Sequence, residues 1–237
     1  MKLKLEGLYK GFDQKDVLKD INFEFEEGKI YGLLGRNGAG KTTLFNCISE
    51  EIDIELGKIS LIDDDGNTQK FTGDDVGYVL STPVVPDFLT GREFLKFFIE
   101  VNEDKIDDVK EIDEYFDMLS IDVPDRDILM KDYSHGMRNK MQMIVNLVWN
   151  PNVVLLDEPL TSFDVIVAEQ MKNLLRTFKK DRILILSTHI LDIALDICDE
   201  IVVLHKGKLE LIDKDQVELK EFKERIIERL KDDEISS

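Results

Sequence analysis

Residues 35–42 read Gly-Arg-Asn-Gly-Ala-Gly-Lys-Thr, with glycines spaced ahead of a lysine and a threonine. Backbone N–H groups around such glycines can wrap a phosphate chain, because no side chain blocks its approach. Lys41 can reach the terminal phosphates, and the Thr42 hydroxyl can bind Mg²⁺. The segment therefore predicts a phosphate-binding loop, with a glycine-rich turn and an exposed lysine as the simpler alternative.

Two adjacent carboxylates, Asp157 and Glu158, follow the apolar run Val153–Leu156. The run is typical of a sheet strand, and ligands of α/β proteins bind at the carboxyl ends of such strands. Asp157 is suited to hold Mg²⁺ through its water shell, and Glu158 to orient or deprotonate a water that attacks the γ-phosphate. A solvated pair at a strand end is the alternative for these two residues taken alone.

The elements that position these groups alternate between strands and helices. The apolar run Ile30–Leu34 precedes the loop, and Thr42–Ile48 follows it with a helical pattern. Further uniformly apolar strands alternate with helices predicted over about 163–177 and 190–199. These strands are Val153–Leu156, Ile183–Leu186 and Ile201–Leu204. Strands of this kind are covered on both faces, so the pattern predicts an α/β fold with a parallel sheet.

Other parts of the chain have different sequence patterns. Leu3–Leu8 and Ile21–Phe25 alternate apolar and polar residues, which predicts antiparallel strands near the N-terminus. Residues from about 81 to 150 are mainly helical in pattern, including a helix from Ser134 to Asn150. The predicted organisation is one domain over 1–212 with this helical subdomain inserted, and a charged, solvated helical extension over 213–237.

Composition restricts the class of protein. The 237 residues are 43% hydrophobic, enough for a core, and 31 Lys+Arg against 50 Asp+Glu give a net charge of −19. The chain has no dense cluster of Lys and Arg residues, so a nucleic acid is not expected as a partner. Residues 1–6 lack a secretory signal pattern, and no apolar stretch reaches the roughly 20 residues of a spanning helix. Cys47 and Cys198 are isolated, which predicts buried thiols in a reducing, cytoplasmic compartment.

Two further segments complete a recognisable order of motifs. Tyr133–Met137 precedes the Asp-Glu pair by some twenty residues, and His189 follows the strand Ile183–Leu186. In this order the chain resembles, over roughly residues 3–211, the nucleotide-binding subunit of ATP-binding cassette (ABC) transporters. The resemblance implies a P-loop NTPase core with a mixed sheet, an N-terminal antiparallel β-subdomain and an inserted α-helical subdomain. It also implies ATP and Mg²⁺ as ligands.

The resemblance assigns roles to individual positions. Phe12 would stack on adenine, Ser134 and Gly136 would contact ATP bound by the opposite subunit, Asp164 would lie in the loop that crosses the dimer interface, and His189 would contact the γ-phosphate. The predicted nucleotide-binding set is Phe12, Gly35, Arg36, Asn37, Gly38, Ala39, Gly40, Lys41, Thr42, Thr43, Ser134, Gly136 and Asp164. The predicted catalytic residues are Glu158, His189 and Lys41, and the predicted metal ligands are Thr42, Asp157 and Ser81.

From the residues alone, several of these positions keep a second interpretation. Ser134 fits an ordinary helix N-cap, His189 a structural histidine, and Phe12 a packed aromatic. The chain also departs from the family pattern. Tyr133, His135 and Met137 replace three of five signature positions, and Ser81 stands where a glutamine would ligate Mg²⁺ and link the site to the membrane partner.

Together the motifs predict a cytoplasmic ATPase subunit of an exporter, most similar to the ABC-2 type, peripheral to the inner face of the membrane. Two such subunits, identical or different, would close over two Mg-ATP and power a separate integral-membrane permease. A soluble ABC ATPase acting in cytosolic assembly is the alternative. A third interpretation is a regulatory subunit with weak hydrolysis, which Ser81 favours and which Lys41, Asp157 and Glu158 oppose.

Overall fold

The computed structural model describes residues 1–13, 15–106, 108–160 and 163–212, together with Glu224 and Ile226. The strands are β1 (Lys2–Phe12), β2 (Lys15–Glu26), β3 (Ile30–Leu34), β4 (Leu56–Ile62), β5 (Thr68–Gln69), β6 (Val76–Val79), β7 (Val153–Asp157), β8 (Ile183–Thr188), β9 (Glu200–His205) and β10 (Lys208–Ile212). The helices are α1 (Lys41–Ile48), α2 (Gly91–Val101), α3 (Ile112–Met118), α4 (His135–Trp149), α5 (Val165–Phe178) and α6 (Leu191–Ile197). Short 3-10 turns cover Gly73–Asp75, Val123–Asp127, Met130–Asp132 and Lys179–Asp181.

The N-terminal strands form an antiparallel sheet with the order β2-β1-β4-β5. Strand β1 pairs with β2 on one side and with β4 on the other. Its side chains alternate in burial, so that Leu3 and Leu5 enter the core while their neighbours are partly exposed. The antiparallel subdomain predicted from the alternating pattern is present.

The second sheet is mixed, with the order β10-β9-β3-β8-β7-β6. Strands β3, β6, β7, β8 and β9 pair in parallel, and β10 joins β9 in antiparallel orientation. Every residue of β3, β7 and β8 is buried, as expected for uniformly apolar strands covered on both faces. The predicted fold class is confirmed.

Strand β10 is the main element that the sequence pattern does not predict. It follows β9 through a tight turn in which Lys206 and Gly207 both have positive φ. Most of its side chains are exposed or partly exposed, and its sequence, Lys-Leu-Glu-Leu-Ile, mixes charged and apolar residues and lacks the uniform apolar run of the parallel strands. Its position depends on backbone pairing with β9 across the hairpin.

The helices α2, α3 and α4 lie between β6 and β7 in the chain and form the inserted subdomain. A capping box opens α2 as predicted: Thr90 accepts from the amide of Glu93, whose carboxylate accepts from the amide of Thr90. Buried residues of this subdomain, Leu95, Phe116 and Met141, belong to the same apolar cluster as the sheet residues. The insertion therefore shares its core with the sheet.

Phe116 is the centre of the packing inside the subdomain. It is fully buried, and the guanidinium groups of Arg92 and Arg126 lie 5.8 and 5.4 Å from its ring centroid. Both guanidinium groups bind Asp113, Arg92 at 2.9 Å and Arg126 at 2.8 Å, which ties α2 and the turn Val123–Asp127 to α3. Removal of the ring would leave a cavity at the point where these elements meet.

Two other expectations concern the ends of the chain and its thiols. The predicted extension over 213–237 lies outside the described residues except for Glu224, which is exposed, and Ile226, which is buried. Cys47 and Cys198 are both buried, as predicted. Among the helices of the described ranges, none combines the length and apolar character needed to cross a bilayer.

We expect Phe116→Ala to lower the free energy of unfolding by about 3–5 kcal/mol, because the deletion leaves a cavity in a core that cannot fully collapse. The measurement is urea denaturation followed by circular dichroism. Phe97→Ala is the matched control, since Phe97 lies on α2 with its ring largely exposed. Its effect should stay below about 1 kcal/mol, and equal losses in the two variants would contradict the packing described here.

Candidate functional site

The predicted phosphate loop connects β3 to α1. Gly38 and Gly40 have φ values of 80° and 106°, a region that side chains with a Cβ rarely adopt. A Cβ on Gly40 would also lie 2.7 Å from Cγ1 of Val17. Gly40 is the N-cap of α1, so the loop ends directly at the positive end of the helix. The glycines are therefore required by the backbone path of the loop.

Lys41 lies inside this loop with only 7% of its surface exposed. Its Nζ donates to the carbonyl oxygens of Gly35 at 2.7 Å and Arg36 at 3.2 Å. Burial lowers the pKa of Lys41, and the carboxylates of Glu158 and Asp157 act in the opposite direction. A phosphate chain in the loop would add negative charge next to the ammonium group and so favour its charged form.

Asp157 ends β7 as a buried carboxylate held by two hydroxyl groups. Thr42 Oγ1 donates to its Oδ2 at 3.1 Å, and Ser187 Oγ donates to its Oδ1. Within the described ranges, no group of three or more His, Cys, Asp or Glu side chains could hold a metal ion by itself. A hydroxyl and one carboxylate suit Mg²⁺, which completes its octahedron with water and phosphate oxygens. The pair thus fits a metal ion that arrives with a nucleotide.

Glu158 has an unusual backbone conformation beside Asp157. Its φ is 52°, and its amide donates to the carbonyl oxygen and to Oγ of Ser187, each at 3.2 Å. One carboxylate oxygen, Oε1, lies 2.7 Å from Nδ1 of His189. A left-handed conformation at a residue with a side chain costs free energy and persists only where the surroundings hold it. Ser187 and His189 supply that support.

A cavity of 310 Å³ brings these groups together. Its lining combines the loop with the end of β7 and the segment after β6: Val17, Asn37, Gly38, Gly40, Lys41, Thr42, Thr43, Ser81, Asp157 and Glu158. A second cavity, of 530 Å³, shares Val17, Asn37 and Gly38 with the first. Basic side chains line this second cavity, namely Lys15, Lys19, Arg36 and Lys206. Asp16 also lines the second cavity, so its lining is mainly but not wholly basic. The shared residues place the two cavities side by side, with room for a phosphate chain and the group attached to it.

Phe12 is not among the residues that line these two cavities. It ends β1 with 49% of its surface exposed, and Nζ of Lys10 lies 5.3 Å from the centroid of its ring. In the β1–β2 pairing Phe12 is opposite Lys15, which does line the larger cavity. Its stacking on adenine remains a prediction.

Ser134, Gly136 and Asp164 also lie outside both cavities. Ser134 caps α4, its Oγ accepting from the amide of Met137 at 3.2 Å. Asp164 caps α5, accepting from the amides of Ile166 and Val167 at 2.9 and 3.0 Å. Both caps are exposed. Within one copy of the chain these residues therefore do not reach the phosphate loop.

Ser187 is a site residue that the sequence motifs did not single out. The parallel register places it opposite Asp157, which explains how one hydroxyl serves both carboxylate residues. The sequence does contain a signal for Ser187 as a site residue, because Ser187 and Thr188 end an apolar strand immediately before His189. Polar residues at the carboxyl end of a parallel strand face the same crevice as those of the neighbouring strand.

Comparison with known proteins agrees with this geometry. A family model described as ABC transporter matches residues 18–161. The chain is 34% identical over 209 residues to an uncharacterized ABC transporter ATP-binding protein of Methanocaldococcus jannaschii, covering 87% of this chain and 75% of that protein. An uncharacterized ABC transporter ATP-binding protein of Bacillus subtilis is 29% identical over 211 residues, covering 88% and 68%.

Solved structures show the same fold. A structure described as the ATP-binding subunit of an ABC transporter superposes with a TM-score of 0.79 at 23% identity, covering 96% of this chain and 100% of that one. A dimeric ATP-binding cassette bound to ADP and Pi, in a post-hydrolysis state, gives a TM-score of 0.73 at 20% identity, covering 89% and 99%. The chain belongs to the ABC transporter family, in which it is an ATP-binding subunit and an ATPase that uses Mg-ATP.

Proposed function

We propose that this chain is most similar to the ATPase subunits of exporters and that it powers a separate integral-membrane permease. It would work as a dimer that closes over two Mg-ATP. The observation that carries the proposal is the 310 Å³ cavity, because it joins the phosphate loop, the Thr42–Asp157 pair and Glu158 in one space. Each of these groups has a distinct part in binding or hydrolysis.

Binding rests on the loop and the end of β7. The backbone amides around Gly38 and Gly40 would hold the phosphates, and Lys41 would exchange its carbonyl partners for phosphate oxygens. Thr42 and Asp157 would hold Mg²⁺, which neutralises charge on the phosphates. Ser81 lines the same cavity, and its short hydroxyl would reach the ion through a water.

Hydrolysis rests on Glu158 and His189. The Glu158 carboxylate would orient the attacking water and accept its proton, since it lies at the cavity next to the metal-binding Asp157. Nδ1 of His189 is engaged with Glu158 at 2.7 Å, so Nε2 is the ring atom that would contact the γ-phosphate. The contact also restricts the Glu158 side chain, which favours a fixed position for the water.

The proposed dimer is supported by exposed residues that lie outside the cavity. Ser134 and Gly136 open α4, where a hydroxyl and backbone amides can meet the phosphates of ATP held by a second subunit. Next to the Asp164 cap, Val165 is 86% exposed and Ile166 is 72% exposed. Large aliphatic side chains at this degree of exposure favour burial against another protein surface. The second subunit would be another copy of this chain or a different nucleotide-binding subunit.

The permease would bind the helical subdomain. Large apolar side chains are exposed there on α2 and on the segment that follows β6, namely Val84, Phe88, Phe97 and Val101. This segment begins at Ser81, which lines the cavity, so a partner that contacts Val84 or Phe88 lies close in sequence to the nucleotide site. Through such a partner the chain would be held at the inner face of the membrane, in the cytoplasm.

We expect Ser187→Ala to reduce kcat and to raise the Mg²⁺ concentration for half-maximal ATPase, each by about tenfold, because Asp157 and Glu158 lose the hydroxyl that orients them. The measurement is steady-state phosphate release over a Mg²⁺ titration. Ser60→Ala removes a buried hydroxyl from β4 in the other sheet and should leave both values unchanged. Equal behaviour of the two variants would contradict the positioning role of Ser187.

Glu158→Gln should still bind ATP but hydrolyse it at least about tenfold more slowly, since the amide cannot accept the proton of water. With hydrolysis blocked, the variant should accumulate as an ATP-bound dimer, detected by size-exclusion chromatography with light scattering. Glu100→Gln, at an exposed position on α2, is the control and should retain wild-type turnover. Normal turnover in Glu158→Gln would contradict the assignment of the base.

Affinity purification of the tagged chain from detergent-solubilised native membranes should recover an integral-membrane protein, identified by mass spectrometry. Phe88→Asp should abolish this recovery while the isolated subunit keeps its ATPase rate, because a charge disrupts an apolar contact. Leu56→Asp, an exposed position on β4, is the matched control and should not affect recovery. Enrichment of soluble proteins alone would instead favour an ATPase of cytosolic assembly.

A further inference from the structure

Strand β6 stops one residue short of the segment that reaches the nucleotide cavity. Its parallel pairing with β7 ends at Val79 opposite Leu156, and among the described residues no other strand lies on its second side. Leu80 therefore has no partner in the sheet ladder. The next residue, Ser81, lines the cavity with Thr42 and Asp157.

The side chain of Gln142 supplies the missing backbone partner. Its Oε1 accepts from the amide of Leu80 at 3.3 Å, and its Nε2 donates to the carbonyl oxygen of Leu80 at 3.2 Å. A primary carboxamide presents a donor and an acceptor in one plane, as a peptide group does, so it can satisfy both polar groups of one residue. Gln142 continues the hydrogen bonding of the strand by one residue.

Gln142 is itself fixed by its surroundings on α4. Only 8% of its surface is exposed, and its backbone carbonyl accepts from the side chain of Asn146 at 2.8 Å. Asn146 lies so close to β6 that a Cβ on Gly77 would be 1.8 Å from its Oδ1. Gln142 and Asn146 are four residues apart and thus on one face of the helix. That face of α4 therefore follows β6 from Gly77 to Leu80.

Helix α4 links the contact between Gln142 and Leu80 to Ser134, the candidate contact for ATP of a second subunit. Ser134 caps the helix, and an eight-residue separation from Gln142 corresponds to about 12 Å along a rigid axis. The segment at Ser81, which lines one ATP site, is thus attached to α4 through Gln142. The N-terminal end of the same helix carries Ser134, which would face the ATP of a second subunit.

We propose that Gln142 is a positioning residue for the nucleotide site: its carboxamide holds the backbone at Leu80, keeps Ser81 at the cavity, and couples that segment to α4. The proposal rests on the metal and signature roles proposed above. It assigns no contact with ATP or Mg²⁺ to Gln142 itself. It predicts that loss of the two hydrogen bonds releases the segment after β6 even without nucleotide.

The test compares Gln142→Met, which keeps length and burial but loses both hydrogen bonds, with Lys140→Met. Lys140 is a buried residue on the same helix whose Nζ donates to the carbonyl oxygen of Ser120, away from β6. Hydrogen-deuterium exchange of peptides covering residues 76–85 in the nucleotide-free protein should be at least about fivefold faster in Gln142→Met and unchanged in Lys140→Met.

A Mg²⁺ titration of ATPase gives the second readout. Gln142→Met should raise the half-maximal Mg²⁺ concentration by about fivefold, and Lys140→Met should not, even if it lowers Tm equally. Unchanged exchange in Gln142→Met would overturn the proposal. Faster exchange with an unchanged Mg²⁺ requirement would overturn its link to the nucleotide site. Failure of the proposed Mg²⁺ site itself is recognised separately, by wild-type hydrolysis that does not depend on Mg²⁺.

Discussion

The parallel alignment of β3, β7 and β8 places the carboxyl ends of the three strands side by side. β3 leads into the phosphate loop, β7 ends at Asp157 and leads to Glu158, and β8 ends at Ser187 and Thr188 ahead of His189. The observed register pairs Leu34 with Thr188 and Asp157 with Ser187, and this sets the relative positions of the groups that follow the strands. The candidate site depends on this arrangement more than on any single contact.

Burial at this edge requires that the polar groups have partners before a nucleotide arrives. Lys41 donates to carbonyl oxygens of its own loop, and Asp157 accepts from Thr42 and Ser187. These contacts offset the cost of burying charged groups and orient them toward the cavity. In the proposed function, phosphates and Mg²⁺ would replace part of an existing set of hydrogen bonds.

In the proposed function, the helical subdomain carries the surface that would bind the permease. Its core is continuous with that of the sheet, and Gln142 ties α4 to the segment at Ser81. On its surface, Phe88 is 77% exposed beside that segment. A partner bound at Phe88 and a nucleotide in the cavity at Ser81 would therefore be separated by only a few residues of chain. Such a short connection would let the nucleotide site and the partner affect each other.

The sequence by itself determined the fold class, because uniformly apolar strands have few structural solutions, and the family, because the order of its motifs is specific. It also placed the glycine-rich turn between β3 and α1. It also located Asp157 and Glu158, since both follow a strand directly. Only the tertiary structure showed the contacts of Ser187 and Gln142. Their partners lie 30 and 62 residues away in the chain, and no local pattern specifies such pairs. Strand β10 likewise depends on pairing across a hairpin, since most of its side chains are exposed and only Ile212 is buried.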